Sequence, residues 1–311
     1  MRSIISIGVL LIMLTSFIML TSCTYGGPTG GYAFIDASIE PISDRSGLIM
    51  IQGNRDENNP AQTTYGSIIT LENRMLAPAS NVMVEVSNVN PSIIDFSSIA
   101  EHRVDLAGFE DREGGEWFDV HQFSVEVVEP KREYSTQIRY HLCAQSETRY
   151  QGTICMAPPM SPHLYQRTCA PEVLKIQGGQ QAPVAVTEIR QADSVSATTI
   201  FIDVVNFGTG LVFDYSDTCA RIPQEDAGHI TLTSLTIGGE DVTSACSQRR
   251  ARMGYTQEYQ KHTGTTFTCI IDKSELRIAD WDEMITTDVS VAFSYGYHVI
   301  AATQPIIIRV I

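Results

Sequence analysis

Basic side chains are scarce in this chain. The sequence has 21 Lys and Arg residues against 36 Asp and Glu residues, a formal net charge of −15. A nucleic-acid-binding surface needs a basic face to neutralise phosphates, and electrostatic attachment to anionic lipid needs one as well. The sequence therefore predicts no nucleic-acid partner, and its acidic balance favours a soluble, outward-facing surface.

Catalytic signatures are also missing. The sequence has no His-Glu-x-x-His pair, no Gly-x-Ser-x-Gly elbow, no phosphate-binding Gly-x-x-x-x-Gly-Lys loop and no dinucleotide fingerprint. The histidines lack the spacing of metal ligands, and we interpret His141 as a strand histidine rather than a ligand. We therefore predict a protein that is not an enzyme and has no cofactor. A hydrolase built from dispersed carboxylates is the least favoured alternative, because such pairs leave no mark in a sequence.

The one long apolar run lies at the start of the chain, from Ile4 to Leu20, and Thr21-Ser22-Cys23 follows it. This pattern predicts a lipoprotein signal peptide over residues 1–22, with Cys23 as the site of lipid attachment. The glycine-rich residues 23–31 would then form a flexible tether. An uncleaved membrane anchor and an ordinary secretory signal are the alternatives, since the run approaches the roughly 20 residues that span a bilayer. Each alternative places the body outside the cytoplasm, and the lipid anchor places it on the extracytoplasmic face of the cell membrane.

Cysteine usage agrees with export. Six cysteines follow Cys23, none in a Cys-x-x-Cys pair, which favours three disulfides over a zinc or redox site. A hairpin turning near residues 146–149 would place Cys143 opposite Cys155. The turn-rich segment between Cys246 and Cys269 suggests a second pair. Cys169 with Cys219 is then the third pair by elimination.

The apolar pattern alternates with a period of two through most of the chain, which is typical of strands with one buried face. Clear helical periodicity is scarce. The sequence therefore predicts an all-β fold. The strongest predicted strands cover residues 82–86, 123–127, 200–204, 230–232, 289–297 and 305–311.

Proline and glycine clusters suggest a division of the body. We predict a β-sandwich over residues 32–160, a linker over 161–183 and a second β-sandwich over 184–311. Each sandwich would have about the length of an immunoglobulin-like module.

An acidic run near the C-terminus is the one candidate metal site. Asp280, Asp282 and Glu283 place three carboxylates within four residues, around Trp281. Closely spaced oxygen donors bind calcium, but the run lacks the spacing and the glycine of a calcium loop. We favour a solvated turn or short helix and keep calcium as the alternative.

Two segments carry a resemblance to a known class of protein. Residues 73–86 contain Asn73, Pro78-Ala79 and Asn81-Val82, a pattern that resembles the adhesin-type, CARDB-like immunoglobulin-like modules of archaeal cell-surface lipoproteins. Residues 178–187 and 203–210 are similar to segments of secreted proteins of small-genomed archaea. The resemblance implies a surface protein made of tandem sandwiches and implies no enzymatic activity.

The sequence favours a non-enzymatic, membrane-anchored surface protein whose sandwiches present loops to a protein partner. Another cell, an envelope component or a sibling subunit would qualify as that partner. The alternative is a lipoprotein that binds a solute or supports an enzyme complex, with Tyr255 and Tyr259 as an aromatic ledge.

Overall fold

The computed structural model describes most of the chain from residue 35 onwards. The described residues are 35–41, 48–51, 61–75, 77–88, 102–108, 115–127, 133–136, 138–159, 167–171, 173–176, 180–215, 225–256, 261–276, 283–302 and 306–310.

In these ranges the chain forms β-strands and one short 3₁₀ turn, with no α-helix. The strands are β1 Ile35–Pro41, β2 Leu48–Ile51, β3 Ala61–Asn73, β4 Ala79–Asn88, β5 His102–Leu106, β6 Gly115–Val127, β7 Glu133–Thr136, β8 Ile138–Met156, β9 Leu174–Lys175, β10 Val184–Asp193, β11 Ala197–Asn206, β12 Leu211–Phe213, β13 His229–Ile237, β14 Glu240–Asp241, β15 Arg250–Arg252, β16 Tyr255–Thr256, β17 Lys261–His262, β18 Gly264–Asp272, β19 Ile285–Ala302 and β20 Ile306–Val310; the 3₁₀ turn is Thr243–Ala245. The predicted all-β fold is confirmed.

The strands form sheets that are mainly antiparallel. The largest has the order β14-β13-β19-β8-β4-β5, with β12 and β15 attached beside β19 and β13. A four-stranded sheet has the order β18-β11-β10-β9, and a three-stranded sheet has the order β1-β3-β6. Two smaller groups are β2-β20-β7, where β2 and β20 are parallel, and the β16-β17 pair.

The segments with alternating apolar residues coincide with strands of the structure. Each predicted segment lies in a strand: 82–86 in β4, 123–127 in β6, 200–204 in β11, 230–232 in β13, 289–297 in β19 and 305–311 largely in β20. In β11 every second residue is buried, and Ile200, Ile202 and Val204 form part of the core. The period of two therefore reflects burial of one face.

The strand pairing crosses the predicted boundary at 161–183. β8 and β19 pair along their length, from Met156 opposite Ile285 to Arg139 opposite Ala302. The last strand, β20, pairs with β2 and β7 of the first half. Residues 33–311 accordingly form one compact unit, and the segments 32–160 and 184–311 are joined through a shared sheet.

The main core of the second half lies between the four-stranded sheet and the β13-β19-β8 part of the large sheet. Phe267 of β18 packs against Phe293 of β19, with ring centroids 5.0 Å apart. Ile154 and Met156, from the end of β8, also belong to this core. The second sandwich is therefore completed by a strand that comes from the first half of the sequence.

A buried polar network fixes the junction of the two halves. Thr148 on β8 donates to the carbonyl of Val184, and its hydroxyl lies 3.0 Å from that of Tyr295 on β19. The hydroxyl of Ser146 lies 3.4 Å from the sulfur of Met75, in the turn after β3. Burial raises the pKa of Tyr295 to about 12, so its hydroxyl stays protonated and able to donate.

The same asparagine-centred turn occurs once in each half. Asn73 ends β3, and its side chain accepts from the amide of Met75 at 3.0 Å and donates to the carbonyl of Ala77 at 3.1 Å. Asn206 ends β11, and its side chain accepts from Gly208 at 3.0 Å and donates to Gly210 at 3.1 Å. Both asparagines are buried, so each amide satisfies backbone groups that water cannot reach.

Candidate functional site

One end of the second sandwich gathers four connecting segments. These are residues 155–159 with 167–169, the β10–β11 hairpin at 193–197, residues 270–276 at the end of β18 and in the turn after it, and residues 283–284 before β19. We call these four segments the loop end. Loops held on a rigid sheet are where binding residues are most often found, which makes this end the candidate functional site.

A disulfide closes the first of these segments. Cys155, one residue before the end of β8, is bonded to Cys169, and both pack with Met284 and Ala157. The hydroxyl of Thr168 donates to the carbonyl of Met284. The cross-linked segment and the chain entering β19 are therefore held against each other.

Gln191, near the end of β10, connects the β10–β11 hairpin to Cys155 at the end of β8. Its side-chain amide donates to the carbonyl of Cys155 at 2.7 Å and to the carboxylate of Asp193 at 2.7 Å. These bonds join the end of β10 to the end of β8.

A buried lysine, Lys273, binds the tip of the β10–β11 hairpin. Lys273 is 1% exposed, and its ammonium donates to the carbonyl of Ser194 at 2.8 Å and lies 3.4 Å from the carboxylate of Asp193. The same carboxylate accepts from the hydroxyl of Thr198 at 2.6 Å. The backbone amide of Lys273 also donates to the carbonyl of Ser196 at 2.9 Å. A hairpin tip tied at this many points is preorganised, so binding would cost little ordering entropy.

The outer surface of the loop end combines apolar and acidic side chains. Val195 at the hairpin tip is 53% exposed, and Ile270 near the end of β18 is 58% exposed. Asp272, Glu275 and Glu283, also at the loop end, are exposed too. Hydrogen bonds from Ser274 lower the pKa of Asp272, so its charge persists in mildly acidic solution. The loop end thus presents exposed apolar side chains and exposed acidic side chains.

Two of the three predicted disulfides are wrong. The structure joins Cys246 to Cys269, as the sequence predicts, but it joins Cys155 to Cys169, which rules out Cys143 with Cys155 and Cys169 with Cys219. The expected hairpin at residues 146–149 does not form, because β8 continues unbroken through this stretch. Cys143 and Cys155 therefore lie about 40 Å apart along one strand.

Several predicted site residues lie outside the described residues. They are the leader 1–22, Cys23, the tether 23–31, Cys219, Asp280 and Asp282. Glu283, the third calcium candidate, is exposed at the loop end. Within the ranges that the structure describes, no three His, Cys, Asp or Glu side chains are grouped as metal ligands would be, and no helix is long and apolar enough to cross a membrane.

The solute-binding alternative depended on an aromatic ledge. Tyr255 lies in the short β16–β17 hairpin, where it pairs with His262. The structure describes the backbone of Tyr255 but not its side chain, and Tyr259 lies outside the described residues.

A histidine pair that no sequence pattern predicts lies on the face of the large sheet opposite Ser146 and Thr148. His141 Nδ1 on β8 lies 3.2 Å from His298 Nε2 on β19. The ring centroids are 5.4 Å apart and the planes differ by 11°. The distance between the ring centroids is close to the sum of the N···N distance and the radii of the two rings. The two nitrogens therefore lie nearly on the line between the centroids, and the rings meet edge to edge through an N–H···N hydrogen bond. Burial, and then the charge of His141, lower the pKa of His298.

No family model and no curated protein matches this chain. Among solved structures, the chain is similar to the C-terminal domain of the Streptococcus pyogenes antigen I/II-family protein AspA, at 5% identity and a TM-score of 0.18, over 89% of this chain and 99% of that one. It is also similar to the C-terminal domain of Streptococcus agalactiae BspA, at 8% identity and a TM-score of 0.15, over 88% and 100%. The collagen-binding domain of Erysipelothrix rhusiopathiae surface protein RspB matches at 11% identity and a TM-score of 0.12, over 90% and 98%. TM-scores this low carry no argument about function.

Removing the buried lysine tests whether the loop end is held as described. We expect Lys273→Ala to lower the free energy of unfolding by about 3–5 kcal/mol, because it leaves the Asp193 carboxylate without its cation and opens a cavity. Lys175→Ala, at an exposed position of β9, is the matched control and should change it by about 0.5 kcal/mol or less. Urea unfolding measures both. Equal losses for the two variants would contradict the assigned role of Lys273.

The histidine pair predicts acid sensitivity. Because the pKa of His298 is lowered in the folded protein, the unfolded chain binds more protons, and stability falls as the pH drops through the ordinary value of 6.5. We expect the urea midpoint of the wild type to fall between pH 7.5 and pH 5, and His298→Gln to flatten this dependence. His229→Gln tests whether any histidine substitution has the same effect. Parallel pH profiles for the wild type and His298→Gln would refute the assignment.

Proposed function

We propose that this chain is a non-enzymatic surface protein, tethered to the extracytoplasmic face of the cell membrane, that contacts a protein partner through its loop end. The observation that carries the proposal is a disulfide-linked, all-β body in a chain whose apolar run from Ile4 to Leu20 is followed by Thr21-Ser22-Cys23. Disulfides persist in oxidising compartments and are rare in the cytosol. The resemblance to archaeal surface modules is compatible with this role.

The loop end supports a protein partner rather than a small solute. Val195 and Ile270 are exposed apolar side chains on a rigid support, the kind of contact that forms the centre of a protein interface. Asp272, Glu275 and Glu283, which are exposed at the same end, would favour a partner that carries basic as well as apolar residues.

The lipid tether is tested at Cys23. We expect the wild type to incorporate a labelled fatty acid and to fractionate with membranes, because acylation at Cys23 supplies the anchor. Cys23→Ser should lose the label and leave the membrane fraction, whereas the neighbouring Thr24→Ser should behave like the wild type. An unlabelled wild type that stays in membranes would instead indicate an uncleaved anchor and would disprove the lipid tether.

The partner contact is tested by site-specific photo-crosslinking on intact cells. A benzophenone amino acid at position 195 should give one adduct of discrete mass, because this residue projects from the fixed hairpin. Thr209 is the control position, since it is exposed at the opposite end of β11. Lys273→Ala should remove the adduct by releasing the hairpin. Equal crosslinking from positions 195 and 209, or none from 195, would count against the loop end as the contact surface.

A further inference from the structure

We propose that His141 and His298 form a binding site for a divalent transition-metal ion such as Zn²⁺, and that the bound ion cross-links β8 to β19. The two ring nitrogens that face each other, Nδ1 of His141 and Nε2 of His298, are 3.2 Å apart. Imidazole nitrogens are favoured ligands of zinc, copper and nickel. The site lies on the large sheet, away from the loop end, and the proposal is independent of the surface role proposed above.

The backbone fixes the positions of both histidines. In the pairing of β8 with β19, His141 lies opposite Ile300 and His298 lies opposite Cys143, so the two histidines are diagonal neighbours on one face of the sheet. β19 is held on its other side by β12, where Leu211 lies opposite His298, and β8 is held on its other side by β4. Only side-chain torsions remain to be set when an ion binds, so the site is preorganised.

The distance between the two nitrogens fits a shared ion. Zinc binds histidine nitrogens at about 2.0–2.1 Å, so two nitrogens 3.2 Å apart would subtend an angle of about 100–105° at the ion, which is close to tetrahedral. Because the nitrogens lie nearly on the line between the ring centroids, each ring has to turn by roughly 40° to direct its lone pair at the ion. The χ2 torsion of histidine has a broad minimum, which allows a turn of this size.

The hydrogen bond between the rings is exchanged for two bonds to the ion. In the hydrogen-bonded pair, one of the two facing nitrogens carries a hydrogen and the other has a lone pair. On coordination, that hydrogen moves to the other nitrogen of the same ring, so both facing nitrogens present lone pairs and both rings stay neutral. The ion gives up two water molecules, one for each imidazole, and the pair neither gains nor loses a proton.

The histidine pair is accessible to ions from solution. Both side chains are only partly buried, and Ile300 beside them is 57% exposed. Among the residues that the structure describes, no third His, Cys, Asp or Glu joins the pair in a group of metal ligands. Water then fills the remaining positions around the ion. The site therefore exchanges its ion, unlike a structural zinc site with four protein ligands.

The donor atoms determine which ions bind. Calcium and magnesium take oxygen ligands, whereas two imidazoles suit Zn²⁺, Ni²⁺ and Cu²⁺. The net charge of −15 attracts cations of every kind to the surface of the chain. Selectivity for a transition-metal ion over Ca²⁺ consequently distinguishes coordination by the histidines from general attraction to an acidic protein.

A bound ion stabilises the junction of the two halves. His141 belongs to the first half of the sequence and His298 to the second, and they meet only when β8 and β19 pair. An ion that binds the folded chain and not the unfolded chain stabilises the fold, and the effect grows with the logarithm of its concentration above the Kd. The two histidines thus make the central strand pairing dependent on metal concentration.

Zinc titration of the full chain with its disulfides intact tests the site. We expect calorimetry at pH 7.5 to show that the wild type binds one more Zn²⁺ per chain than His141→Gln/His298→Gln, and the urea midpoint of the wild type alone to rise with Zn²⁺ concentration. Ca²⁺ should give neither effect. His229→Gln, which removes a histidine from β13, is the matched control and should bind Zn²⁺ as the wild type does. Equal Zn²⁺ binding by the wild type and the double variant would overturn the proposal.

X-ray absorption at the zinc edge tests the ligands without any substitution. For the wild type loaded with one equivalent of Zn²⁺, we expect the scattering of two imidazoles with Zn–N distances of about 2.0–2.1 Å. A single imidazole, or sulfur ligands at about 2.3 Å, would refute the site. Circular dichroism of the metal-free double variant shows whether it is folded. If it is unfolded, its loss of binding counts for nothing and the absorption spectrum of the wild type decides.

Discussion

The antiparallel pairing of β8 with β19 is the interaction on which the rest of the structure depends. It joins strands from the two halves of the sequence and sets the register from Met156–Ile285 to Arg139–Ala302. Without it, each half would expose the backbone groups of a long edge strand, which is a template for aggregation. The pairing buries both edges at once, and it positions Ser146, Thr148 and Tyr295 for the polar network on one face and the histidine pair on the other.

The strand order of the large sheet is matched on the two sides of the β8–β19 pair. Reading outward from the centre, β19-β13-β14 on one side corresponds to β8-β4-β5 on the other. Asn73 and Asn206 make the same two kinds of hydrogen bond in the turns after β3 and β11, and each of those strands lies between two others, β1 and β6 for β3 and β10 and β18 for β11. Two copies of one sandwich module, joined edge to edge through equivalent strands, would give this arrangement, as in an isologous dimer interface.

The sequence predicted local structure well because burial imposes a period of two. Ile200, Ile202 and Val204 stand at every second position and lie buried in β11, as expected. The sequence-based prediction was wrong at residues 146–149, where a polar stretch indicated a hairpin turn. Ser146 and Thr148 are instead buried in β8, where Met75, Tyr295 and the Val184 carbonyl partner their hydroxyls. The loop end was equally hidden, because Lys273 and Asp193 become partners only when the turn after β18 meets the β10–β11 hairpin. Sequence spacing does not record such distant contacts.

The treatment of the sheet edges explains why a partner would meet loops rather than strands. The edge of β13 is covered at its start by β15 and at its end by β14. On β10, the side-chain amide of Gln180 bonds both the amide and the carbonyl of Val186, as a neighbouring strand would. On β18, Ser247 bonds the carbonyl of Thr268. Since strand addition needs a run of open backbone groups, these local blocks disfavour it. The preorganised side chains of the loop end are then the part of the second sandwich best suited to specific contact.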